Sequence, residues 1–153
     1  MAVGAEALLN KTVAGKYLVL QLLGHGAMCN VYRAKHLTLD KEIALKVLHP
    51  NLRHDENFVE RFHREAKSAS KLNHPNSVQI LDYGEDSDGC LFIAMELLEG
   101  RDLFQVIHQD KPLSRDRIID ILRQVLAAVG AAHNLGIIHR DLKPENVMVH
   151  RRL

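Results

Sequence analysis

The residues best suited to chemistry in this sequence lie in one short segment, residues 139–146, which reads His-Arg-Asp-Leu-Lys-Pro-Glu-Asn. Asp141 offers a general base, Arg140 and Lys143 offer two cations, and Asn146 offers an amide oxygen of the kind that binds metal ions. Such a set can position a charged group and stabilise the charge that develops during its transfer. The alternative interpretation is a structural loop that is rich in charge.

A second candidate feature is a pair of glycines, Gly24 and Gly26, which lie between the first two apolar runs of the chain. Glycines let a backbone turn close over phosphates and direct N–H groups at them. The alternative is an ordinary strand–turn–strand hairpin. A Rossmann turn is disfavoured, because the segment leads into a strand and not into a helix.

A third feature is a lysine in an otherwise apolar run. Lys46 lies between Ile43 and Val47, where it needs a partner or a ligand unless it faces solvent. Glu65 falls on the stripe 58, 62, 65, 69, 72 of a predicted helix, and a carboxylate on a buried face is costly unless it is paired. The two residues are therefore predicted to form an ion pair. Alternatively, Glu65 lies at the edge of the stripe and reaches water.

The elements that must position these residues follow from the apolar pattern. Runs of β-branched and apolar residues at 17–23, 30–36, 42–48, 78–83 and 91–95 predict five strands, which we expect to form an antiparallel sheet. A helix capped by Asp55 is inserted after the third strand. The small, weakly patterned residues 1–14 are predicted to be a loose lead-in.

The second part of the chain is predicted to be helical, with a short helix at 102–108 and a long helix that is capped by Ser114 and ended by Gly136. Short strands at 137–138 and 147–149 would flank residues 139–146. The fold class is therefore α+β. The side chains that the long helix is predicted to turn inward are Ile118, Ile121, Leu122, Val125, Val129 and Ala132.

Composition and charge narrow the class of protein. The 153 residues suit one domain, and a hydrophobic content of 46% suffices for a core. The 20 Lys and Arg residues nearly balance the 19 Asp and Glu residues, so neither nucleic acid nor an anionic membrane is an expected partner. Cys29 and Cys90 do not indicate a disulfide framework, no apolar run is long enough to cross a bilayer, and residues 1–10 lack a secretory signal. These features predict a reduced, cytoplasmic protein.

Together, the candidate residues resemble the protein kinase signature set. The Lys-Pro-Glu-Asn ending of the 139–146 segment resembles serine/threonine kinases, and His74-Pro75-Asn76 is similar to bacterial kinases of the eukaryotic-like type. The resemblance extends from about Tyr17 to Val149. The motifs that carry it are Gly24-x-Gly26-x-x-Cys29-x-Val31, Ala44-x-Lys46, Glu65, residues 95–100 and residues 139–146.

The resemblance implies that the chain binds ATP and Mg²⁺. Gly24 and Gly26 would fold over the nucleotide phosphates, and Lys46 would hold the α- and β-phosphates while pairing with Glu65. The backbone of Glu96 and Leu98 would hydrogen-bond adenine, and Asp102 would reach the ribose. The side chains implied around adenine are Leu23, Val31, Ala44, Met95 as the gatekeeper, and Met148.

The resemblance also assigns the catalytic roles. Asp141 would accept the proton of the acceptor hydroxyl, Lys143 would neutralise the γ-phosphate, and Asn146 would bind Mg²⁺. The substrates would be Ser and Thr hydroxyls of proteins. Arg140 before Asp141 is similar to loops that pair with a phosphorylated activation segment. The full 139–146 segment disfavours a small-molecule phosphotransferase, which has a shorter loop.

The expected fold is a partial protein kinase domain at 15–153, with a five-stranded N-lobe at about 15–95, a hinge at 96–100 and an incomplete C-lobe at 101–153. Two departures stand out: Cys29 replaces the third glycine, and neither Asp-Phe-Gly nor Ala-Pro-Glu follows Asn146. The sequence therefore predicts a fragment of a kinase that is inactive alone. The alternative is a naturally truncated, kinase-like module that binds nucleotide or a partner without catalysis.

Overall fold

The computed structural model describes residues 6–110 and 112–150. The chain divides into two compact units. The sheet unit comprises Met1–Ser70 and Gln79–Leu97, and the helical unit comprises Lys71–Val78 and Leu98–Leu153. The boundary between Leu97 and Leu98 falls within the predicted hinge, but residues 71–78, which the sequence assigned to the N-lobe, group with the helical unit.

The strands of the sheet unit form an antiparallel sheet. The five predicted strands are confirmed. Alternation of apolar and polar residues and the intervening turns specify them locally. The strands are β1 (Thr12–Val13), β2 (Tyr17–His25), β3 (Cys29–His36), β4 (Lys41–Leu48), β5 (Ile80–Glu85) and β6 (Leu91–Glu96). Their order in the sheet is β1-β2-β3-β4-β6-β5.

The additional strand, β1, corrects the expectation of a loose lead-in. A single 3-10 turn spans Glu6–Leu8, and β1 then pairs Val13 with Tyr17. The side chain of Val13 is fully buried in the core of the sheet unit, and this burial stabilises β1. The strand is too short to show the alternation of apolar and polar residues from which strands are predicted. Residues 1–5 of the predicted lead-in lie outside the described residues.

The helix inserted after β4 is α1 (Glu56–Ser70), and it begins as predicted. The Asp55 carboxylate accepts a hydrogen bond from the N–H of Asn57 at 3.0 Å, which satisfies one of the free N–H groups of the first turn. Phe62 and Ala66 are the buried residues of α1, and they pack into a cluster with Leu48, Leu91 and Ile93. The buried face therefore passes through Ala66 and not through Glu65.

A tyrosine links β2 to the strand at the far end of the sheet. The Tyr17 hydroxyl donates a hydrogen bond to the Asp82 carboxylate of β5 at 2.8 Å, and Lys16 Nζ donates to the same oxygen at 3.2 Å. Burial is the main cause of a raised pKa for Tyr17, and the neighbouring carboxylate adds to it. Burial also acts to raise the pKa of Asp82, but the hydrogen bonds from Tyr17 and Lys16 outweigh it and lower that pKa.

We expect Tyr17→Phe to lower the free energy of unfolding by about 1–2 kcal/mol at pH 7, because the half-buried Asp82 carboxylate loses a donor. Since the pKa of Asp82 is lowered in the folded state, this stabilisation is present above the ordinary carboxyl pKa and is lost as the pH falls through the folded value. Urea unfolding should show the deficit at pH 7 and a smaller one below about pH 4. Tyr83→Phe, on the exposed side of β5, is the control. An equal deficit at both pH values would contradict the assignment.

The helical unit contains α2 (Leu103–Gln109), α3 (Arg115–Asn134) and a two-stranded antiparallel sheet of β7 (Gly100–Asp102) and β8 (Met148–His150). The N-cap predicted at Ser114 is confirmed, because its side chain accepts from the N–H of Arg117. The side chain of Asp102 caps α2 in the same way by accepting from the N–H of Gln105. The strand predicted at 137–138 is not formed. The strand predicted at 147–149 exists with a shift of one residue, and it pairs with β7.

The inward orientation predicted for α3 is wrong for part of the set. Ile118 and Leu122 are about half exposed, and Ala132 is the buried member of the predicted stripe. The stripe is apolar, as predicted, but the described elements of the helical unit do not cover that side of α3. Among the described residues, none of the helices combines the length and apolar character that a bilayer crossing requires.

Candidate active site

The glycine pair lies at the tip of the hairpin between β2 and β3. Gly24 pairs with Val31, and the N–H of Gly26 donates to the carbonyl oxygen of Cys29 at 2.9 Å, which closes the tip around residues 27 and 28. A β-carbon at Gly26 would lie only 3.0 Å from that oxygen, whereas one at Gly24 would have no atom within 4 Å. The tight closure therefore requires glycine at 26 more than at 24.

The cysteine that stands at the third glycine position has a structural role. Cys29 is 8% exposed, and it packs in the cluster that contains Phe62 and Ala66 of α1. Burial is the main cause of a raised pKa for the Cys29 thiol, while the Lys46 ammonium opposes the shift and the Glu65 carboxylate adds to it. The cysteine thus fills core space beside α1 in addition to restricting the backbone of the hairpin.

The predicted ion pair between Lys46 and Glu65 is not formed. Glu65 has a side chain that is 53% exposed, and it accepts a hydrogen bond from Arg61 Nε at 3.2 Å. Lys46 is half-buried on β4, and it forms no ion pair with any carboxylate of the described residues. The alternative prediction, that Glu65 lies at the edge of the stripe and reaches water, is therefore correct. Ala66 occupies the buried face of α1, so the adjacent Glu65 lies toward solvent.

The residues predicted around adenine are divided between the two units. In the sheet unit, Ala44 of β4 is buried and pairs with Met95 of β6, whereas Leu23 on β2 is exposed. Glu96 is held at the end of β6, because its N–H and its carboxylate bond the backbone of Gln79 at 3.0 and 2.7 Å. These contacts fix the backbone of Glu96, which is predicted to hydrogen-bond adenine.

In the helical unit, β7 and β8 bring two of these residues face to face. Asp102 is the direct partner of Met148 in the strand pairing, and Leu98 lies just before β7. One carboxylate oxygen of Asp102, Oδ1, caps α2 through the N–H of Gln105 at 2.7 Å. The cap holds the Asp102 side chain in a single orientation beside Met148.

The three predicted catalytic residues of the 139–146 segment lie in direct contact. Asn146 Nδ2 donates to the backbone oxygen of Asp141 at 2.8 Å and to its carboxylate oxygen Oδ2 at 3.2 Å. Lys143 Nζ lies 3.7 Å from the same carboxylate oxygen. The N–H of Asp141 donates to His139 Nδ1 at 3.3 Å, and Arg140 has a left-handed φ of 65°. Residues 144–146 form a 3-10 turn that brings Asn146 back to Asp141.

The donor set of this segment suits Mg²⁺. Because Asn146 uses its amide nitrogen on Asp141, its side-chain oxygen remains as a ligand for the ion. Among the described residues, no group of three or more His, Cys, Asp or Glu side chains could hold a metal. Mg²⁺ characteristically takes few protein ligands and completes its shell with substrate phosphates and water, so the residues present fit that ion.

Comparison with known proteins identifies the family to which this chain belongs. The protein kinase domain family matches residues 17–153. The chain is 54% identical over 142 residues to the serine/threonine-protein kinase pkn3 of Myxococcus xanthus, covering 93% of this chain and 26% of that protein. It is 42% identical over 142 residues to the serine/threonine-protein kinase PrkC of Bacillus subtilis, covering 93% of this chain and 22% of that protein.

Among solved structures, the kinase domain of Mycobacterium tuberculosis PknI is similar, with a TM-score of 0.80 and 36% identity over 94% of this chain and 58% of that chain. This chain therefore belongs to the protein kinase family, and its fold is that of a partial protein kinase domain. It spans about a quarter of the length of the curated relatives it matches. The family implies the use of ATP and a divalent metal ion.

Proposed function

We propose that this chain forms the nucleotide-binding part and the catalytic loop of a serine/threonine protein kinase that transfers the γ-phosphate of ATP to Ser and Thr hydroxyls of proteins. The observation that carries the proposal is the contact among Asp141, Lys143 and Asn146 in a chain of the protein kinase family. The names of the relatives, all serine/threonine-protein kinases, support the same acceptor class. Nothing in these comparisons favours the non-catalytic module.

In the proposed mechanism, Asp141 holds the acceptor hydroxyl and receives its proton. Lys143, which lies beside the Asp141 carboxylate, neutralises charge on the γ-phosphate. Asn146 would hold Mg²⁺ through its side-chain oxygen. When bound, that ion would screen the negative charge of the phosphates. The protein therefore contributes positioning and electrostatic stabilisation, with no covalent step of its own.

The remaining site residues would bind the nucleotide. Lys46 would contact the α- and β-phosphates, and the hairpin at Gly24 and Gly26 would cover them. The proposed adenine and ribose contacts are Leu23, Val31, Ala44, Met95, Glu96, Leu98, Asp102 and Met148. Glu65, which pairs with Arg61, would have to change partner to meet Lys46. The reduced, buried Cys29 and Cys90 suit a cytoplasmic location.

A fusion protein tests the proposed activity. Residues 1–153 contain no Asp-Phe-Gly segment, so we would join them to the part of pkn3 that follows its matched 142 residues. With γ-labelled ATP and a protein acceptor, this fusion should form phosphoserine and phosphothreonine, while residues 1–153 alone should transfer nothing. Phosphotyrosine, or transfer by the 153 residues alone, would contradict the proposal.

A substitution at Lys46 tests its assignment as a phosphate ligand. In the fusion, Lys46→Met should lower kcat by about a hundredfold, because one charge that stabilises the transferring phosphate is lost. Thermal unfolding without nucleotide should be unchanged, since Lys46 has no ion pair to lose within the described residues. Lys41→Met, at an exposed position of the same strand, is the control. Loss of the thermal transition would instead make Lys46 a structural residue.

A further inference from the structure

A histidine that lies outside the predicted motifs holds the tip of the glycine-rich hairpin. His49 donates from Nε2 to the carbonyl oxygen of Gly26 at 2.7 Å. Its backbone N–H donates to the carbonyl oxygen of Met28 at 2.8 Å. One residue therefore bonds the tip on both sides of Ala27. No motif indicates this contact, because it joins positions 23 residues apart through a side chain.

The chain fixes His49 in this place by two local constraints. Leu48, the last residue of β4, pairs with Cys29 of β3, so the register brings the next residue beside the tip. Pro50 follows, and proline excludes the helical conformation from the residue before it. His49 accordingly has φ −58° and ψ 139°, an extended conformation. The side chain is therefore directed by a backbone that has little freedom.

The contacts decide which polar groups of the tip remain available. The N–H of Gly26 is bonded to Cys29, and the carbonyl oxygens of Gly26 and Met28 are bonded to His49. Within the described part of the chain, the N–H groups of Ala27 and Met28 have no acceptor. Successive free N–H groups in a turn form a concavity that binds anions such as phosphate. With the carbonyls held aside, the tip presents donors to a ligand.

A second histidine supports the same tip from the hairpin strands. His25 Nδ1 donates to the side-chain oxygen of Asn30 at 2.6 Å, and Asn30, which is 5% exposed, donates to the Tyr32 hydroxyl at 3.1 Å. The ring centroids of His25 and His49 are 5.2 Å apart. The packed rings restrict the sideways movement of His49 and keep its Nε2 beside Gly26.

We propose that His49 is a positioning residue for ATP, which orients the N–H groups of Ala27 and Met28 for the nucleotide phosphates. The inference rests on the proposed function, because it takes ATP as the ligand. A positioning role of His49 for ATP differs from a purely structural role in one respect. Loss of the His49 side chain should weaken the binding of ATP, which carries phosphates, and leave the binding of adenosine unchanged.

The experiment measures the dissociation constants of ATP with Mg²⁺ and of adenosine for residues 1–153, together with amide hydrogen exchange at the hairpin tip. His49→Ala should raise the Kd for ATP by about fivefold, the effect of one hydrogen bond, and leave the Kd for adenosine unchanged. The amide of Gly26 should exchange faster. His49→Gln keeps a side-chain N–H donor and should recover part of the affinity. His54→Ala, at an exposed histidine, is the matched control.

The binding results distinguish failure of the inference from failure of the proposed function. If His49→Ala changes the Kd for ATP and for adenosine equally, or changes neither, the inference is overturned. If Lys46→Met weakens the binding of ATP while His49→Ala does not, the inference fails alone. If neither variant weakens the binding of ATP, the proposed function fails as well.

If the His49→Ala chain does not fold, His49→Asn replaces it, because the asparagine amide is too short to reach Gly26. If the chain binds neither ligand, unchanged exchange at Gly26 in the variant overturns the inference, and faster exchange supports the contact from His49 to Gly26 on which it rests.

Discussion

Asp141→Asn should lower kcat of the fusion by about 10²- to 10⁴-fold, the range that a positioned general base contributes. The amide of asparagine is uncharged and cannot accept the proton of the acceptor hydroxyl. It has nearly the same shape as the carboxylate, so the hydrogen bond from Asn146 Nδ2, now 3.2 Å from Asp141 Oδ2, can be kept. The Asp141 side chain is 70% exposed, and its substitution should leave the free energy of unfolding within about 0.5 kcal/mol.

Steady-state kinetics of the fusion would test this expectation. Because the base acts in the transition state, kcat and kcat/KM should fall together, and the KM for ATP should stay near its original value. Glu145→Gln is the matched control, since it removes an exposed carboxylate from the same 3-10 turn. A variant that keeps more than a tenth of the original kcat would show that Asp141 only orients its neighbours.

The contacts of the proposed catalytic loop could be predicted from the sequence because they are local. Asp141, Lys143 and Asn146 lie within one turn of each other, so no long-range packing is needed to bring them together. The strands and helix caps were predictable for the same reason, since alternation and capping side chains act over a few residues. The limit appears where one short element depends on another, as with β1, which pairs Val13 with Tyr17 of β2 and buries Val13 in the core of the sheet unit.

The failed ion pair shows a different limit. Several apolar stripes can be drawn on α1, and the sequence favoured one that included Glu65. Packing selected Phe62 and Ala66 instead, a rotation that the sequence of α1 alone does not specify. The contact from His49 to Gly26 was equally unpredictable, because it depends on the register of β3 and β4 and on a side chain reaching the backbone.

The absence of that ion pair bears on nucleotide binding. Lys46 is half-buried on β4, and within the described residues no carboxylate lies within ion-pair distance of its ammonium. A partly buried cation gains more from an anionic ligand when no protein carboxylate competes for it. The arrangement is therefore compatible with the proposed phosphate contact of Lys46 while Glu65 stays paired with Arg61.

Gly100→Ala should lower the free energy of unfolding of the chain by roughly 3 kcal/mol, which corresponds to about 6–12 °C in Tm. Gly100 has a φ of 149°, a conformation that side chains rarely adopt. A β-carbon there would overlap the carbonyl oxygen of Val149 and lie 3.1 Å from the α-carbon of His150. Both clashes are with backbone, so no side chain can move aside to relieve them.

The strain would fall on the pairing of β7 with β8, which sets Gly100 against His150 and Asp102 against Met148. Since Asp102 and Met148 are proposed nucleotide contacts, Gly100→Ala should also weaken ATP binding. Gly130→Ala is the matched control, because Gly130 lies inside α3 with no atom within 4 Å of a β-carbon. Alanine has the higher helix propensity, so this control should raise stability by up to about 1 kcal/mol. Thermal unfolding of both variants tests the expected loss of stability. A Gly100→Ala chain as stable as the original would mean that β7 and β8 can separate at no cost. Their pairing would then not hold Asp102 and Met148 in place.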